Sequence, residues 1–291
     1  MFPHVLNGYA YPTKTNNKFT VNLDTLPKNP ETYYLESLRA AELVWDQRQG
    51  KVYLLYSGGV DSEYTFNLFL SLGMPVIPVI LCLKPDYNTH DISYALDFCE
   101  SKNIKPVIID LDFDKFVDSG KFLEISIAAQ SEIYHLAATA WAAEQLYGTV
   151  LMGDGEPYIK LQPDKTWNVE IMEFDYAITR YFEKKGIYGL PHFNIYTPGQ
   201  FSSFIQDPRM RELANNEHPG KLGSHSSKGI IYNRTSPWQM ATRTKYTGYE
   251  VIEKSPIFQH PDIQLLANIG QQWNGKFTMN YFDFISKIVC G

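Results

Sequence analysis

The segment Tyr53-Leu54-Leu55-Tyr56-Ser57-Gly58-Gly59-Val60-Asp61-Ser62-Glu63-Tyr64-Thr65-Phe66-Asn67-Leu68-Phe69 changes its period in the middle. From Val52 to Tyr56 the residues are apolar or aromatic without interruption, as in a strand buried on both sides of a parallel sheet. Ser57, Gly58 and Gly59 turn the chain. Tyr64, Leu68 and Leu72 then recur at helical spacing, with Phe66 and Phe69 widening the stripe. Strand, Gly-Gly turn and helix in that order gather backbone N–H groups and a helix N-terminus around one point, a geometry suited to phosphate.

The residue types sharpen this. Two glycines let backbone approach an anion closely, and Ser57 and Ser62 add hydroxyls. Asp61 would repel bare phosphate but suits phosphate accompanied by Mg2+. The segment has neither the Gly-x-x-x-x-Gly-Lys-Ser/Thr of a Walker loop nor the Gly-x-Gly-x-x-Gly of a dinucleotide site. Ser57-Gly58-Gly59-Val60-Asp61-Ser62 instead resembles the pyrophosphate loop of the N-type ATP pyrophosphatases, the PP-loop superfamily that includes asparagine synthetase, GMP synthetase, tRNA thiolases and phosphosulfate reductases. The resemblance implies that Ser57, Gly58, Gly59, Val60, Asp61 and Ser62 hold the pyrophosphate of ATP. It also implies that the backbone of the second strand, at Ile80 to Leu83 and centred on Leu81, lines the adenine.

Composition narrows the class. The chain has 291 residues, 44% of them hydrophobic, which is enough for a sizeable core. A net charge of −6 and the absence of a basic block speak against general nucleic-acid coating, while a local basic face stays open. Cys82, Cys99 and Cys290 are too scattered for a zinc site and too few for a disulfide framework, which fits a reducing cytoplasm. No apolar run reaches the roughly 18 residues of a membrane span, and Met1 to Lys18 has no signal-like core, so no membrane association is expected.

In chain order, Met1 to Pro30 reads as an extended aromatic arm with a strand near Phe19 to Leu23, and Thr32 starts a helix running to Trp45. Strands are expected at Val76–Leu83, Val107–Leu111 and Thr149–Met152. Helices are expected at His90–Lys102, Phe116–Leu123 and Ala128–Tyr147. This alternation predicts an α/β fold, a Rossmann-like parallel sheet with helices on both faces, in which ligands sit beyond the carboxyl ends of the strands. Three regions follow: an arm and helix over 1–50, the ATP-binding core over 51–160, and a loop-rich, mainly helical substrate-binding region over 161–291. In the last, Thr197-Pro198 starts a helix, His218 to Ser227 reads as a mobile loop, and Ile263–Trp273 and Tyr281–Val289 close the chain as helices burying Leu265 and Phe282 among others.

A second carboxylate lies beyond the strand Thr149–Met152, in Gly153-Asp154-Gly155-Glu156. Asparagine-synthetase-like enzymes carry a glycine-rich acidic loop there. The resemblance therefore implies that Gly153 contacts the nucleotide and that Asp154, more than Glu156, shares Mg2+ with Asp61. Farther on, Trp238-Gln239-Met240-Ala241-Thr242-Arg243-Thr244-Lys245-Tyr246-Thr247-Gly248-Tyr249 is similar to the C-terminal Arg-x-Lys segment of asparagine and β-lactam synthetases. By that likeness Lys245, assisted by Arg243, stabilises the negative charge of the leaving pyrophosphate, as Asp61 with its Mg2+ does; Lys228 and Lys254 are the alternatives for that lysine.

The function expected is ATP-dependent adenylation of a carboxylate or amide-type carbonyl with release of pyrophosphate, followed by attack of ammonia or an amine. ATP and Mg2+ are the expected cofactors, with a small molecule or nucleobase as acceptor and a homo-oligomer allowed. Met1-Phe2-Pro3 offers no early cysteine for a glutaminase, and three scattered cysteines supply neither the pair of a thiolase nor the zinc cluster of a deazaguanine nitrile synthase. Cys290 keeps a sulfonucleotide-reductase-like reading open. A nucleotide-binding regulatory protein without turnover is the other alternative.

Overall fold

The apolar strands alternate their burial from one face of a sheet to the other. Val52 and Leu54 join one core while Leu55 joins a second; Leu151 joins the first while Val150 and Met152 join the second. A sheet with two such faces must be covered on both, and that is the architecture found. The computed structural model describes residues 10–12, 19–155, 157–172, 176–215, 223–240, 249–269, 273 and 275–290.

Strands β1 (Ala10–Pro12) and β2 (Phe19–Val21) form an antiparallel pair ahead of helix α1 (Tyr33–Gln47), which Thr32 caps by accepting from the Leu35 N–H. The central sheet follows: β3 (Val52–Leu55), α2 (Val60–Ser71), β4 (Val76–Lys84), α3 (Thr89–Ser101) and β5 (Val107–Asp112). Helices α4 (Phe113–Asp118), α5 (Lys121–Ala129) and α6 (Tyr134–Glu144) lead back to β6 (Thr149–Met152). A hairpin of β7 (Tyr158–Leu161) and β8 (Trp167–Met172), then α7 (Ala177–Lys185), precede the two-residue β9 (Gly189–Leu190). The sheet order is β5-β4-β3-β6-β9, and all of these pairings are parallel. The fold expected from the sequence is the fold observed. Its fifth strand comes from residues 189–190, so the sheet draws on chain beyond residue 160.

The remaining elements are α8 (Pro198–Ile205), α9 (Pro208–Ala214), α10 (Gly223–Thr235), α11 (Tyr249–Lys254), α12 (Pro261–Ile269), β10 (Lys276–Asn280) and α13 (Tyr281–Cys290). Thr197 and Gln200 close a capping box on α8, as their spacing requires. Strand β10 pairs with β8 to complete a separate antiparallel sheet, β10-β8-β7, that the sequence reading did not include. In that sheet the buried Glu170 is held by Lys160 and Lys276.

Several boundaries differ from expectation for local reasons. The helix expected over Ala128–Tyr147 is split, because Gln130 adopts a left-handed φ of 54° that ends α5. The stretch Phe116–Leu123 is likewise broken at Gly120, with φ of 74°. The expected loop His218–Ser227 is helical from Gly223 onward, and residues 216–222 lie outside the described residues. In the closing helices Leu266 is buried as expected, but Leu265 is 44% and Phe282 49% exposed, and the buried aromatics of the last helix are Tyr281 and Phe284.

Phe66 of α2 has no exposed surface and packs against Tyr56 and Phe98 at ring distances of 5.4 and 5.6 Å. Phe66→Ala is expected to lower the unfolding free energy by about 3–5 kcal/mol. Leu265→Ala on the outer face should change it by no more than about 0.5 kcal/mol. Urea titration of both variants measures the contrast.

Candidate functional site

Chain order along the sheet reverses at β3, whose neighbours are β4 on one side and β6 on the other. A crevice opens at such a reversal beyond the carboxyl ends of the strands. The Ser57 loop leaves β3 there and Gly153-Asp154 leaves β6, so the sequence-derived candidates on these two loops come to one place. Contact between them is close: a Cβ on Gly153 would lie 2.6 Å from Ser62 Cα and 3.0 Å from the Asp61 carbonyl oxygen. Only glycine lets the acidic loop touch the first turn of α2.

Gly58 and Gly59 do different jobs. Gly58 has φ of 76°, and a Cβ there would meet the Asp91 carbonyl oxygen at 2.7 Å and the Ala95 nitrogen at 2.8 Å. Its lack of a side chain lets the loop pack on the backbone of α3. Gly59 is the N-cap of α2, and among the described residues a Cβ there would meet only Ser57 Oγ, at 3.3 Å. The second glycine is therefore the one that leaves room for an incoming group. The loop is braced internally: the Ser57 and Ser62 hydroxyls lie 3.2 Å apart, Ser62 donates to the Gly59 carbonyl, and the Gly59 N–H donates to Ser57 Oγ.

Asp61 is held from across the chain. Lys228 Nζ of α10 lies 2.5 Å from its Oδ2, and the Tyr232 hydroxyl, one turn later, donates to Oδ1 at 2.9 Å. The ion pair is largely withdrawn from water, with side-chain exposures of 7% for Lys228 and 19% for Asp61. Beneath the pair Tyr232 stacks on Tyr64 at 4.2 Å and on Tyr33 at 5.6 Å. Burial pushes the Tyr33 hydroxyl well above its ordinary pKa, with Tyr64 and the Asp61 charge adding to the shift. It stays protonated and donates to the Asn194 carbonyl.

Asn194 is the brace of the acidic loop. Its side chain donates to the Gly153 carbonyl at 2.9 Å and accepts from Thr65 of α2 at 3.3 Å, while its N–H donates to the Asp154 carbonyl. Asp154 itself is exposed, and its Oδ1 accepts from the Gly155 N–H at 2.9 Å. Next to it, His192 bridges Gly153, is buried against Tyr176 and shares a hydrogen bond with Thr179. Burial, with the Arg180 charge adding to it, pushes the His192 imidazole down to about 3.

Leu81 lies on β4 at the edge facing the loop; its carbonyl accepts from the Asn88 side chain. Lys254 ends α11 and Lys228 lies in α10, so both of these alternative lysines are helical. Arg243, Lys245 and Glu156 lie outside the described residues. Cys82 and Cys99 are buried thiols, with burial pushing Cys99 up to about 11, which removes both as nucleophiles. Among the described residues no three His, Cys, Asp or Glu side chains group as a metal cage. Two carboxylates on touching loops still fit Mg2+, which binds through one or two carboxylates, waters and phosphate oxygens. No described helix is long and apolar enough to cross a membrane.

Tyr232 and Asn194 were missed by sequence reasoning. Asn194 carries no sequence signal beyond its type. Tyr232 follows Lys228 by four residues, a helical i,i+4 relation that only the helix reveals.

No family model matches the chain, and no curated protein matches it. Among solved structures, it is similar to the predicted subunit of tRNA methyltransferase from Methanocaldococcus jannaschii, with a TM-score of 0.31 and 18% identity over 63% of this chain and 86% of that one. It is also similar to NMN synthetase from Francisella tularensis, with a TM-score of 0.30 and 15% identity over 74% of this chain and 98% of that one. Likenesses at this level carry no argument about chemistry, which rests on the geometry of the site.

Two outcomes test this geometry. Asp61→Ala strands the Lys228 charge in a mostly buried position and is expected to cost about 3–5 kcal/mol of stability. Asp61→Ala with Lys228→Met should regain most of that loss in a urea unfolding series. The second concerns pH. His192 stays neutral in the fold to about pH 3 but takes up a proton in the unfolded chain near 6.5. Its contribution is therefore complete above 6.5 and is lost as pH falls toward 3, by up to about 1.4 kcal/mol per pH unit. His192→Gln should flatten the acid limb of the stability curve between those values.

Proposed function

We propose that the chain is an ATP pyrophosphatase-type enzyme that adenylates a substrate carboxylate or amide-type carbonyl and passes it to ammonia or an amine, in the manner of an asparagine synthetase-like synthetase domain. The observation that carries the reading is the meeting of Lys228 with Asp61 at the mouth of the Ser57 loop. A phosphate loop with a carboxylate at its helix start, faced by a lysine delivered from a distant helix, supplies the groups an α,β-cleavage of ATP needs.

In this reading the N–H groups of the first turn of α2 and the Ser57 and Ser62 hydroxyls hold the β- and γ-phosphates. An acceptor oxygen attacks the α-phosphorus, the bond to the bridging oxygen breaks, and pyrophosphate leaves with the electron pair. Lys228 stabilises the charge that develops on it. Before ATP arrives, Asp61 neutralises Lys228; with ATP bound the lysine would turn to phosphate, and Asp61 and Asp154 are the residues that would hold Mg2+. Mg2+, when bound, neutralises phosphate charge. The nitrogen nucleophile then attacks the activated carbon and AMP departs. Lys228 takes the role that likeness to the synthetases gave Lys245, and Arg243 and Lys245 remain candidates for closing over the phosphates.

The test is release of pyrophosphate from ATP and Mg2+ across amino acids, nucleosides and nucleic acids. Acceptor-stimulated pyrophosphate is expected, and Lys228→Gln should lower kcat by about 10²–10³-fold with little change in ATP affinity. Phosphate released in place of pyrophosphate would overturn the reading, and ATP binding without either product would favour a regulatory nucleotide binder.

A further inference from the structure

Strand β3 ends at Leu55, and its last ladder bond to β4 runs from the Tyr56 N–H to the Val79 carbonyl at 2.8 Å. Beyond Val79 no strand among the described residues lies beside the β3 side of β4. Backbone groups along a strand alternate between its two edges, so Leu81 and Leu83 present theirs to that vacated edge, beside the Ser57 loop. The Asn88 carboxamide occupies them: its Nδ2 donates to the Leu81 carbonyl at 2.8 Å, and its Oδ1 accepts from the Leu83 N–H at 2.8 Å. Only one orientation of the amide satisfies both. The donor–acceptor pattern Asn88 presents is that of adenine's N6–H and N1.

A second feature gives this contact a direction. Asn88 is the N-cap of α3, a position where asparagine ordinarily accepts from the first-turn N–H groups, yet its side chain makes no capping hydrogen bond. The residue holds the strand instead of its helix. The same first turn of α3 supplies the Asp91 carbonyl against which Gly58 packs, so Asn88 and the loop share one wall of the crevice.

We propose that Asn88 is a base-gating residue: its side chain stands in for an adenine edge on Leu81 and Leu83, and a nucleotide base displaces it onto the N-terminus of α3. Two hydrogen bonds to the strand are exchanged for two from the base, and the released amide gains a helix cap. The affinity of the site for adenine is thus set in part by a competitor within the chain. This deepens the ATP reading and rests on it, but the base is tested apart from the phosphates.

The experiment titrates adenosine, purine riboside (which lacks the exocyclic amine) and pyrophosphate separately into the wild type, Asn88→Ala and Asn88→Asp. Asp can cap α3 and cannot donate to the Leu81 carbonyl, so it weakens the competitor while keeping the helix start, and Ala removes it. Both variants should bind adenosine and purine riboside more tightly by a similar factor, about five- to tenfold for Asn88→Ala, with purine riboside weaker than adenosine in every form, and should bind pyrophosphate as the wild type does. In the wild type, adenosine should shift the Asn88 side-chain amide resonances. Unchanged or weaker adenosine binding in a variant with wild-type melting, or Asn88 resonances unmoved by saturating adenosine, would overturn the proposal. Failure of pyrophosphate alone to bind would count against the phosphate loop and not against Asn88.

Discussion

A lysine and an aspartate brought together mostly out of water must either satisfy each other or destabilise the fold, and the arrangement around Asp61 follows from that constraint. The gain from pairing Asp61 with Lys228 is offset by the cost of desolvating both, so the pair needs a further hydrogen bond and tight packing to hold. Tyr232 supplies the bond, and its ring stacks on Tyr64 and Tyr33, fixing α10 against α2 and α1. Charge, hydroxyl and ring all come from one turn of one helix. The C-terminal part is thereby docked onto the Ser57 loop through Asp61.

The acidic loop is governed by a different economy. Its backbone is held by Asn194 and its flank by His192, neither of which could contact a ligand as they stand, since both are buried. Asp154 lies exposed at the surface of this support, whereas Asp61 is largely withdrawn from water in its pair with Lys228. Two carboxylates of the same chemical type thus differ in how readily each can accept a cation.

The parallel sheet was legible because its signals are local. Uninterrupted apolar runs such as Val52–Tyr56 and Val76–Leu83 have few other uses, and Ser57-Gly58-Gly59 interrupts the pattern where a turn must fall. The hairpin β7–β8 was illegible because four-residue Tyr158–Leu161 is too short to show a period, and β10 because its alternation runs straight into α13. Helix α10 was hidden by Gly223, Ser224, Ser226, Ser227 and Gly229, residues that read as loop. What makes α10 helical is its packing on α1, α9 and β7, a tertiary cause with no local trace. Among the site residues, the loop was readable from composition, whereas Lys228 could be named as a candidate but not placed, and Asn88 and Asn194 have meaning only through partners that the fold brings near.

The sequence distance between the paired charges also sets the order in which the protein comes into being. Asp61 and Lys228 are 167 residues apart. At a synthesis rate of about 5–20 residues per second, the aspartate leaves the ribosome roughly ten to thirty seconds before its lysine exists. Through that interval the Ser57 loop can form with β3 and α2, but its carboxylate lacks its lysine. The nascent sheet thus carries an open anionic loop that the late arrival of α10 converts into a closed, charge-balanced one, so maturation of the site is a step of its own, timed by translation.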